Sequence, residues 1–354
     1  MAIFDSCLLE LNDQAVLTQM LSGKQKNFLI PDNARTLVVS SYITLVGRKP
    51  TLIVTRTEEE ARQFADDLSK ILHGFDIMLF PSWETLPFER ISPSIETMGK
   101  RNSVLSTLRN ATSSSIIVGT ARAVSQILTP SSSIGSMELT QGQEINYENL
   151  LQSLIHYGYQ RTSQVERRGE FAVRGSIIDI FPSTSNTPIR IDTWGDEIER
   201  LTEFSIADQR SKEAKERVQI FPARELFPSA GIKNKANKLL KTQSWGKEHW
   251  QRFANQEFFE GMESWLPWVT ETEETFMDLF PTEGTIFLFD PQKIFQRSQD
   301  LMAEEENLAA TLAETWGIEA DQDFPKLHID LEKALSQRNK KILNFVTSTP
   351  DPTI

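Results

Sequence analysis

A β-branched strand followed by an amphipathic helix occupies residues 51–72, which read TLIVTRTEEEARQFADDLSKIL. The first five residues are apolar or β-branched, as in a strand that is buried on both faces. Apolar residues then recur at helical spacing on one face, at Ala61, Phe64, Ala65, Leu68, Ile71 and Leu72. A strand and a helix in this order predict one βα unit of an α/β fold.

The same rhythm continues on both sides of this unit. Short apolar runs at 28–30, 77–80 and 116–118 predict further strands, and residues 98–108 have the pattern of a helix. Repeated βα units with right-handed crossovers predict a parallel sheet covered by helices. Farther along, a helix-rich region is broken by one strand at 285–289, which we expect to rejoin this sheet.

The middle of the chain has a different pattern of predicted elements, with one helix followed by short strands. Asn146 is placed as the N-cap of a helix that Gly158 ends. Short strands follow at hairpin spacing, at 176–181, 189–193 and 198–204. These elements predict a small α+β domain.

The residues Pro130-Ser131-Ser132-Ser133 are typical of a linker, and they separate the region of alternating strands and helices from the small α+β domain. We therefore predict a first half-domain at 1–132, a small α+β domain at 133–221 and a second half-domain at 222–354. The fold class is α/β: a parallel-sheet domain of the nucleotide-binding type, interrupted by the small domain.

Charge is the most informative part of the composition. The 354 residues include 37 basic and 49 acidic side chains, a net charge of −12. Residues 251–330 alone carry 18 acidic and 4 basic side chains, so the rest of the chain is close to neutral. This balance argues against a protein that tracks nucleic-acid phosphates with clustered lysines and arginines.

Cysteine content and hydropathy exclude further classes of protein. Cys7 is the only cysteine, which excludes an internal disulfide and a multi-cysteine metal site, and we expect it to be a small apolar residue. No apolar run has the length of a membrane span, and the N-terminus lacks the basic start of a secretory signal. We therefore expect a cytoplasmic protein with no membrane contact.

The places where a nucleotide would bind lack the necessary residues. The segment 31–36 between strand and helix has no glycine and no lysine, and Asp32 would repel phosphate. Asp290 ends the strand at 285–289, but Pro291 follows it where a magnesium-binding acidic pair needs a glutamate. We expect a degenerate P-loop domain that binds no nucleotide cofactor.

No other catalytic or metal-binding constellation stands out. The histidines are far apart and lack metal-ligand spacing, at His73, His156, His249 and His328. We expect no catalytic residue and no metal site in this chain.

Two motifs do stand out, GEFAVRGSIIDIFP at 169–182 and PIRIDTWGDEIE at 188–199. Both read as adjacent strands with tight turns. On the second strand, Arg190 and Trp194 project from the face opposite to Ile189. Arginine beside a large aromatic residue is typical of a protein-interface hot spot.

A structural alternative fits the same residues. Arg174 could form an ion pair with Asp179 or Asp192, and Trp194 could belong to the core. Composition alone does not separate the two interpretations.

The two motifs resemble the second domain shared by the excision-repair protein UvrB and the bacterial transcription-repair coupling factors. A further segment, FPSWETLPFE at 80–89, is similar to a segment typical of the coupling factors. The resemblance implies a UvrB-like module: a degenerate ATPase domain that binds no nucleotide, interrupted by a small domain.

The resemblance also implies a partner and a site. In that family the small domain binds UvrA, and the contact positions correspond to Arg174, Arg190 and Trp194. The family commonly has phenylalanine at the third position, so Trp194 is a departure.

On this reading the chain is a non-catalytic recruitment module that links stalled RNA polymerase to nucleotide excision repair. Contacts with RNA polymerase and DNA, and the translocase motor, would belong to regions absent from this sequence. Two alternatives remain open: a fragment of a UvrB-type ATP-dependent repair enzyme, and an interaction domain for another partner.

Overall fold

The computed structural model describes residues 15–347, apart from 24, 87, 111–114, 130–134, 271–272, 317–323 and 339. Cys7 and the predicted linker around residue 132 lie outside the described residues. Within the described ranges, no helix is both long and apolar enough to cross a membrane.

Six parallel strands form the first sheet. They are Asn27–Leu29 (β1), Thr51–Thr55 (β2), Ile77–Phe80 (β3), Ile116–Thr120 (β4), Thr285–Phe289 (β13) and Lys341–Val346 (β14). Their order is β1-β14-β13-β2-β4-β3, with parallel pairing throughout. The predicted α/β class is confirmed, and β13 rejoins the sheet in a central position, as expected. The sequence analysis did not predict β14.

Helices cover both faces of this sheet. Those before the small domain are Ala15–Ser22 (α1), Asp32–Val46 (α2), Glu58–Ile71 (α3), Ile95–Arg109 (α4) and Ala121–Ser125 (α5). Within β2, Ile53 packs with α1, α2 and α3, while Leu52 and Val54 pack with α4 and α5. Alternate residues of one strand thus enter two separate cores, which explains its continuous apolar sequence.

The start of α2 corrects one expectation. Residues 31–36 were predicted to be a loop, but α2 begins at Asp32 and only Ile30 and Pro31 connect it to β1. Proline at the N-cap tolerates this tight entry because the first helical N–H groups need no partner within the helix.

The later helices build a third core around aromatic rings. They are Ala230–Thr242 (α7), Lys247–Ala254 (α8), Leu266–Val269 (α9), Phe276–Leu279 (α10), Pro291–Trp316 (α11) and Leu331–Ser336 (α12), with a 3-10 helix at Met262–Trp265. Trp250 and Trp265 are buried edge to face, with their ring centroids 4.6 Å apart. Much of this core is formed by residues 251–330, the acidic segment. The charged side chains of this segment mostly face solvent.

Some acids of that segment are nevertheless buried, each beside a basic side chain. Glu263 forms a two-point pair with Arg224, at 2.8 Å for both N–O distances. Glu305 accepts a hydrogen bond from backbone N–H of Leu327 and lies 3.0 Å from Nδ1 of His328. A carboxylate can be buried at tolerable cost only with such partners.

A second sheet belongs to the middle of the chain. Its strands are Gln160–Arg161 (β6), Glu170–Arg174 (β7), Ile177–Ile180 (β8), Ile189–Trp194 (β9), Glu197–Phe204 (β10) and Ser211–Lys215 (β11). Their order is β11-β10-β9-β8-β7-β6, antiparallel except for the β6-β7 pair. Met137–Thr140 (β5) and Arg217–Ile220 (β12) form a separate antiparallel pair. The predicted interruption of a parallel sheet by a smaller α+β unit is confirmed.

One helix covers the inner face of the second sheet. Tyr147–His156 (α6) begins as predicted at Asn146, whose side chain accepts a hydrogen bond from the backbone N–H of Asn149. Leu150 and Leu154 of α6 pack on the inward residues of the sheet. The helix therefore buries the inner face of the sheet, while part of the outer face is buried in a smaller cluster of Val165, Ala172, Phe181 and Phe204. The division at 1–132, 133–221 and 222–354 stays a prediction.

A buried ion pair connects helix α4 with the segment that follows β12. Glu225, just after β12, accepts hydrogen bonds from Nε of Arg101 in α4 at 2.7 Å and from Nε1 of Trp83 at 3.0 Å. Burial raises the pKa of Glu225, and the charge of Arg101 partly offsets this. Nearby, a Cβ on Gly99 would lie 2.5 Å from Cβ of Ser183, so only glycine permits this close approach.

His328 gives a test of the buried pairs through pH. Burial lowers the pKa of His328, and Glu305 offsets this only in part. The unfolded chain therefore takes up this proton at a higher pH than the folded chain, and the free energy of unfolding falls as pH drops below about 6.5. We predict that His328→Gln flattens the dependence of urea unfolding on pH between about pH 7.5 and 5.5.

The matched control is His73→Gln, because His73 is exposed. This control should keep the wild-type slope. A His328→Gln protein whose slope equals that of the wild type would contradict the assignment.

Candidate protein-docking surface

The outer face of the second sheet carries the side chains that the sequence analysis selected. Cross-strand pairing places Asp179 of β8 directly opposite Arg190 of β9. Burial alternates along β9, so that Ile189, Ile191 and Thr193 are buried while the residues between them are not. The predicted division of β9 into an apolar inner face and an outer face with Arg190 and Trp194 is therefore confirmed.

Arg190 is held within the chain by hydrogen bonds and by a contact with an aromatic ring. Its Nε and Nη2 donate to the two carboxylate oxygens of Asp179 at 2.7 and 2.9 Å, and Nη1 donates to the backbone oxygen of Gln209 at 3.1 Å. The guanidinium also lies over the ring of Phe204, 4.9 Å from its centroid. The hydrogen bond with Asp179 raises the pKa of Arg190 above its ordinary value. Arg190 is thus a fixed part of the surface.

Trp194 has the opposite character. It ends β9 beside a tight turn in which Gly195 has φ +60°, and its side chain is 82% exposed. The alternative that Trp194 belongs to the core is wrong, because the side chain lies on the outer face of the sheet at the end of a strand. A tryptophan exposed to this extent presents a large apolar area to solvent.

Arg174 is exposed at the end of β7, on the same outer face. Its Nη2 donates to the backbone oxygen of Ser163 at 3.1 Å. The alternative that Arg174 pairs with Asp179 is wrong, since Asp179 is only 1% exposed and is taken up by Arg190. The structure thus brings Arg174, Arg190 and Trp194 to one sheet face. Their role in docking stays a prediction.

The position expected for a nucleotide contains an ion pair. Arg35, in the first turn of α2, contacts the carboxylates of Asp32 at 2.9 Å and of Asp290 at 3.0 Å. Asp290 directly follows β13 and also accepts hydrogen bonds from the backbone N–H and the hydroxyl of Thr347, both at 3.2 Å. The guanidinium lies 4.9 Å from the ring centroid of Phe289. Arg35 and the two carboxylates thus pair with one another, although Nε of Arg35 is buried without a hydrogen-bond partner.

Electrostatics at this position disfavour phosphate. Burial alone would raise the pKa of Asp290, but the hydrogen bond and charge of Arg35 outweigh it and the pKa is lowered. Asp290 is therefore ionised at neutral pH. The adjoining cavity of about 230 Å³ is lined by the acids Asp32, Glu60 and Asp67 and by Arg35 and Arg56, which are paired with Asp32 and Glu60. A triphosphate would meet carboxylates where a P-loop offers backbone N–H groups and a lysine.

Sequence reasoning missed two of these residues. Arg35 could have been selected from the sequence. It is a basic residue in the segment predicted to lie between strand and helix, where a phosphate-binding loop is missing. Asp179 was considered only as a partner of Arg174, because the register between β8 and β9 cannot be read from either motif alone. Across the described ranges, no group of three or more His, Cys, Asp or Glu side chains is placed to hold a metal ion.

The different burial of Arg190 and Trp194 predicts different effects on stability. Arg190→Ala leaves the buried carboxylate of Asp179 without its cation, so we expect the free energy of unfolding to fall by about 3 kcal/mol. Trp194→Ala removes an exposed side chain, and we expect a change within about 0.5 kcal/mol. Urea unfolding followed by circular dichroism measures both variants. Equal losses in the two would contradict the assigned contacts.

Comparison with known proteins bears on the same region. Residues 137–226 match the family model of the UvrB interaction domain. The transcription-repair-coupling factor of Mycobacterium bovis is 33% identical over 309 residues, which cover 81% of this chain and 24% of that protein. The Bacillus subtilis protein of the same name is 26% identical over 347 residues, covering 92% of this chain and 28% of that protein.

A third relative matches a shorter region. The Escherichia coli transcription-repair-coupling factor is 30% identical over 181 residues, or 51% of this chain. The chain spans about a quarter of the length of the first two relatives. The resemblance drawn from the sequence motifs is confirmed: the chain matches the UvrB interaction domain at residues 137–226 and is homologous, over most of its length, to transcription-repair-coupling factors.

Proposed function

We propose that this chain is a non-catalytic recruitment module of a transcription-repair coupling factor, and that it binds UvrA through the outer face of its second sheet. In this role it helps to link stalled RNA polymerase to nucleotide excision repair. Contacts with polymerase and with DNA belong to other parts of the full-length relatives. The observation that carries the proposal is the exposed indole of Trp194 on the same sheet face as the exposed Arg174, within the region that matches the UvrB interaction domain.

The physical argument rests on what this face offers a partner. Trp194 can bury a large apolar area on binding while losing the freedom of only two side-chain torsions. Arg174 is exposed and close to the same turn region of the sheet, so it can reach a carboxylate at the rim of that contact. Tryptophan and arginine are the residue types most enriched among interface hot spots.

The charge of the small domain favours a protein partner over nucleic acid. Residues 151–200 contain 6 basic and 7 acidic side chains. Without an excess of basic residues there is no general attraction for phosphates, so binding depends on individually placed groups. This supports recognition of one protein surface.

The first sheet supports a non-catalytic role. A nucleotide-dependent enzyme needs phosphate-binding groups at the start of α2, where this chain has Asp32 and the Arg35–Asp290 ion pair. Breaking that pair to admit a phosphate would leave Asp290 buried without its cation. For this reason we do not propose the UvrB-type ATP-dependent enzyme that the sequence left open.

Titration of the chain with purified UvrA tests the proposal. We predict that Trp194→Ala weakens binding by about thirtyfold, as expected for a hot-spot aromatic residue worth about 2 kcal/mol. Arg174→Ala should weaken it by about tenfold, with a smaller dependence on salt. Arg190→Ala is a poor test, because the loss of the Asp179 pair would itself disturb the fold.

The matched control is Arg217→Ala. Arg217 is an exposed arginine of the same domain but lies on β12, outside the second sheet. It should leave the affinity unchanged. Wild-type affinity in both Trp194→Ala and Arg174→Ala would refute the docking surface.

A further inference from the structure

A third arginine lies on the outer face of the second sheet. Arg200 of β10 is exposed and pairs directly across the sheet with Asp192 of β9. Asp192 in turn pairs with Ile177 of β8, and Ile177 with Arg174 of β7. The four residues therefore form one row across four neighbouring strands, with an arginine at each end. Three strand spacings make this row about 14 Å wide.

A bulge in β10 brings Arg200 to this position. The register steps from Ile198 opposite Thr193 to Arg200 opposite Asp192, so that Glu199 is the extra residue in β10. Without the bulge, Glu199 would lie opposite Asp192 and place two like charges side by side. Bulges commonly re-aim side chains near functional sites. Here the bulge places Arg200, and not Glu199, directly opposite Asp192.

Arg200 is also available to a partner, in contrast to Arg190. Arg190 already donates to both carboxylate oxygens of Asp179 and to the backbone of Gln209. In the described part of the chain, no ion pair or hydrogen bond engages the guanidinium of Arg200. Arg174 donates one hydrogen bond, from Nη2 to the backbone oxygen of Ser163. Arg174 and Arg200, at the two ends of the row, therefore each have guanidinium N–H groups left to meet an external carboxylate.

We infer that Arg200 is a further docking residue, which together with Arg174 recognises a partner surface bearing two carboxylates about 14 Å apart. This inference rests on the proposed function and names the chemistry of its partner. Asp192, between the two arginines, gives the row the charge order plus, minus, plus. A partner that matches it carries a basic or hydrogen-bond-donating group between its two acids.

The charge order favours a defined protein surface. A run of phosphates would place negative charge against Asp192 as well as against the arginines, and the row would gain little from it. A surface with alternating charges satisfies all three groups at once, and a uniformly acidic one does not. Arg200 thus sets the specificity of the contact more than its strength, because exposed charge pairs contribute little free energy each.

Affinity measurements on the whole chain test this inference, with purified UvrA as the probe at two salt concentrations. We expect Arg200→Ala to weaken binding by about three- to fivefold and Arg200→Glu by about tenfold or more. Arg200→Lys should retain most of the affinity, since it keeps the charge. The salt dependence of binding should decrease in Arg200→Ala.

Two further variants separate the possible outcomes. Arg217→Ala controls for the loss of an exposed arginine in the same domain, and Trp194→Ala reports on the docking surface itself. Wild-type affinity in Arg200→Ala and Arg200→Glu, with weakened binding in Trp194→Ala, would overturn the role of Arg200 and leave the proposed function intact. Wild-type affinity in all of them, Trp194→Ala included, would overturn both.

Discussion

The ion pair between Asp179 and Arg190 determines what the second sheet can present to a partner. Asp179 is buried, and a buried carboxylate is stable only with a well-placed cation and hydrogen bonds. Arg190 supplies these and also bonds the backbone of Gln209 between β10 and β11. The pair therefore fixes three strands and a loop in one arrangement. Trp194 and the arginines at the ends of the row stay exposed on that face.

The same rule governs the rest of the chain. Arg101 and Glu225 are buried where the small domain meets α4, and Arg35 and Asp290 close the position where a nucleotide would bind. In both pairs, the charge of a buried residue is neutralised by a residue of opposite charge that lies far away in the sequence. Removing either member leaves an uncompensated buried charge, which costs far more than the pair contributes. The fold thus uses these buried charges to fix its geometry.

Local patterns predicted the elements that a strand or helix period can reveal. The strand at 51–55, the helix that follows it and the central strand at 285–289 all have such patterns and were predicted correctly. The strand β14 was missed, although its residues alternate, because its pairing partners lie far away in the sequence. The β5-β12 pair was missed for the same reason.

Within the candidate site, the sequence predicted which side chains share a face but not what each one contacts. The alternation in β9 was enough to place Arg190 and Trp194 together. The choice of Arg190 as the partner of Asp179 depends on the register between two strands, and the exposure of Arg200 depends on a bulge. Neither feature has a signal in a single strand. The sequence could therefore propose the site, whereas the division into fixed and free arginines required the structure.

Hydrogen–deuterium exchange of the chain with and without UvrA tests where UvrA docks. The outer face of the second sheet is proposed to be the docking surface, so UvrA should slow exchange in peptides that cover β7 to β10. The carboxyl edge of the parallel sheet, around Asp32 and Asp290, should exchange at the same rate in both states. Protection at that edge, with none between residues 170 and 204, would contradict this account.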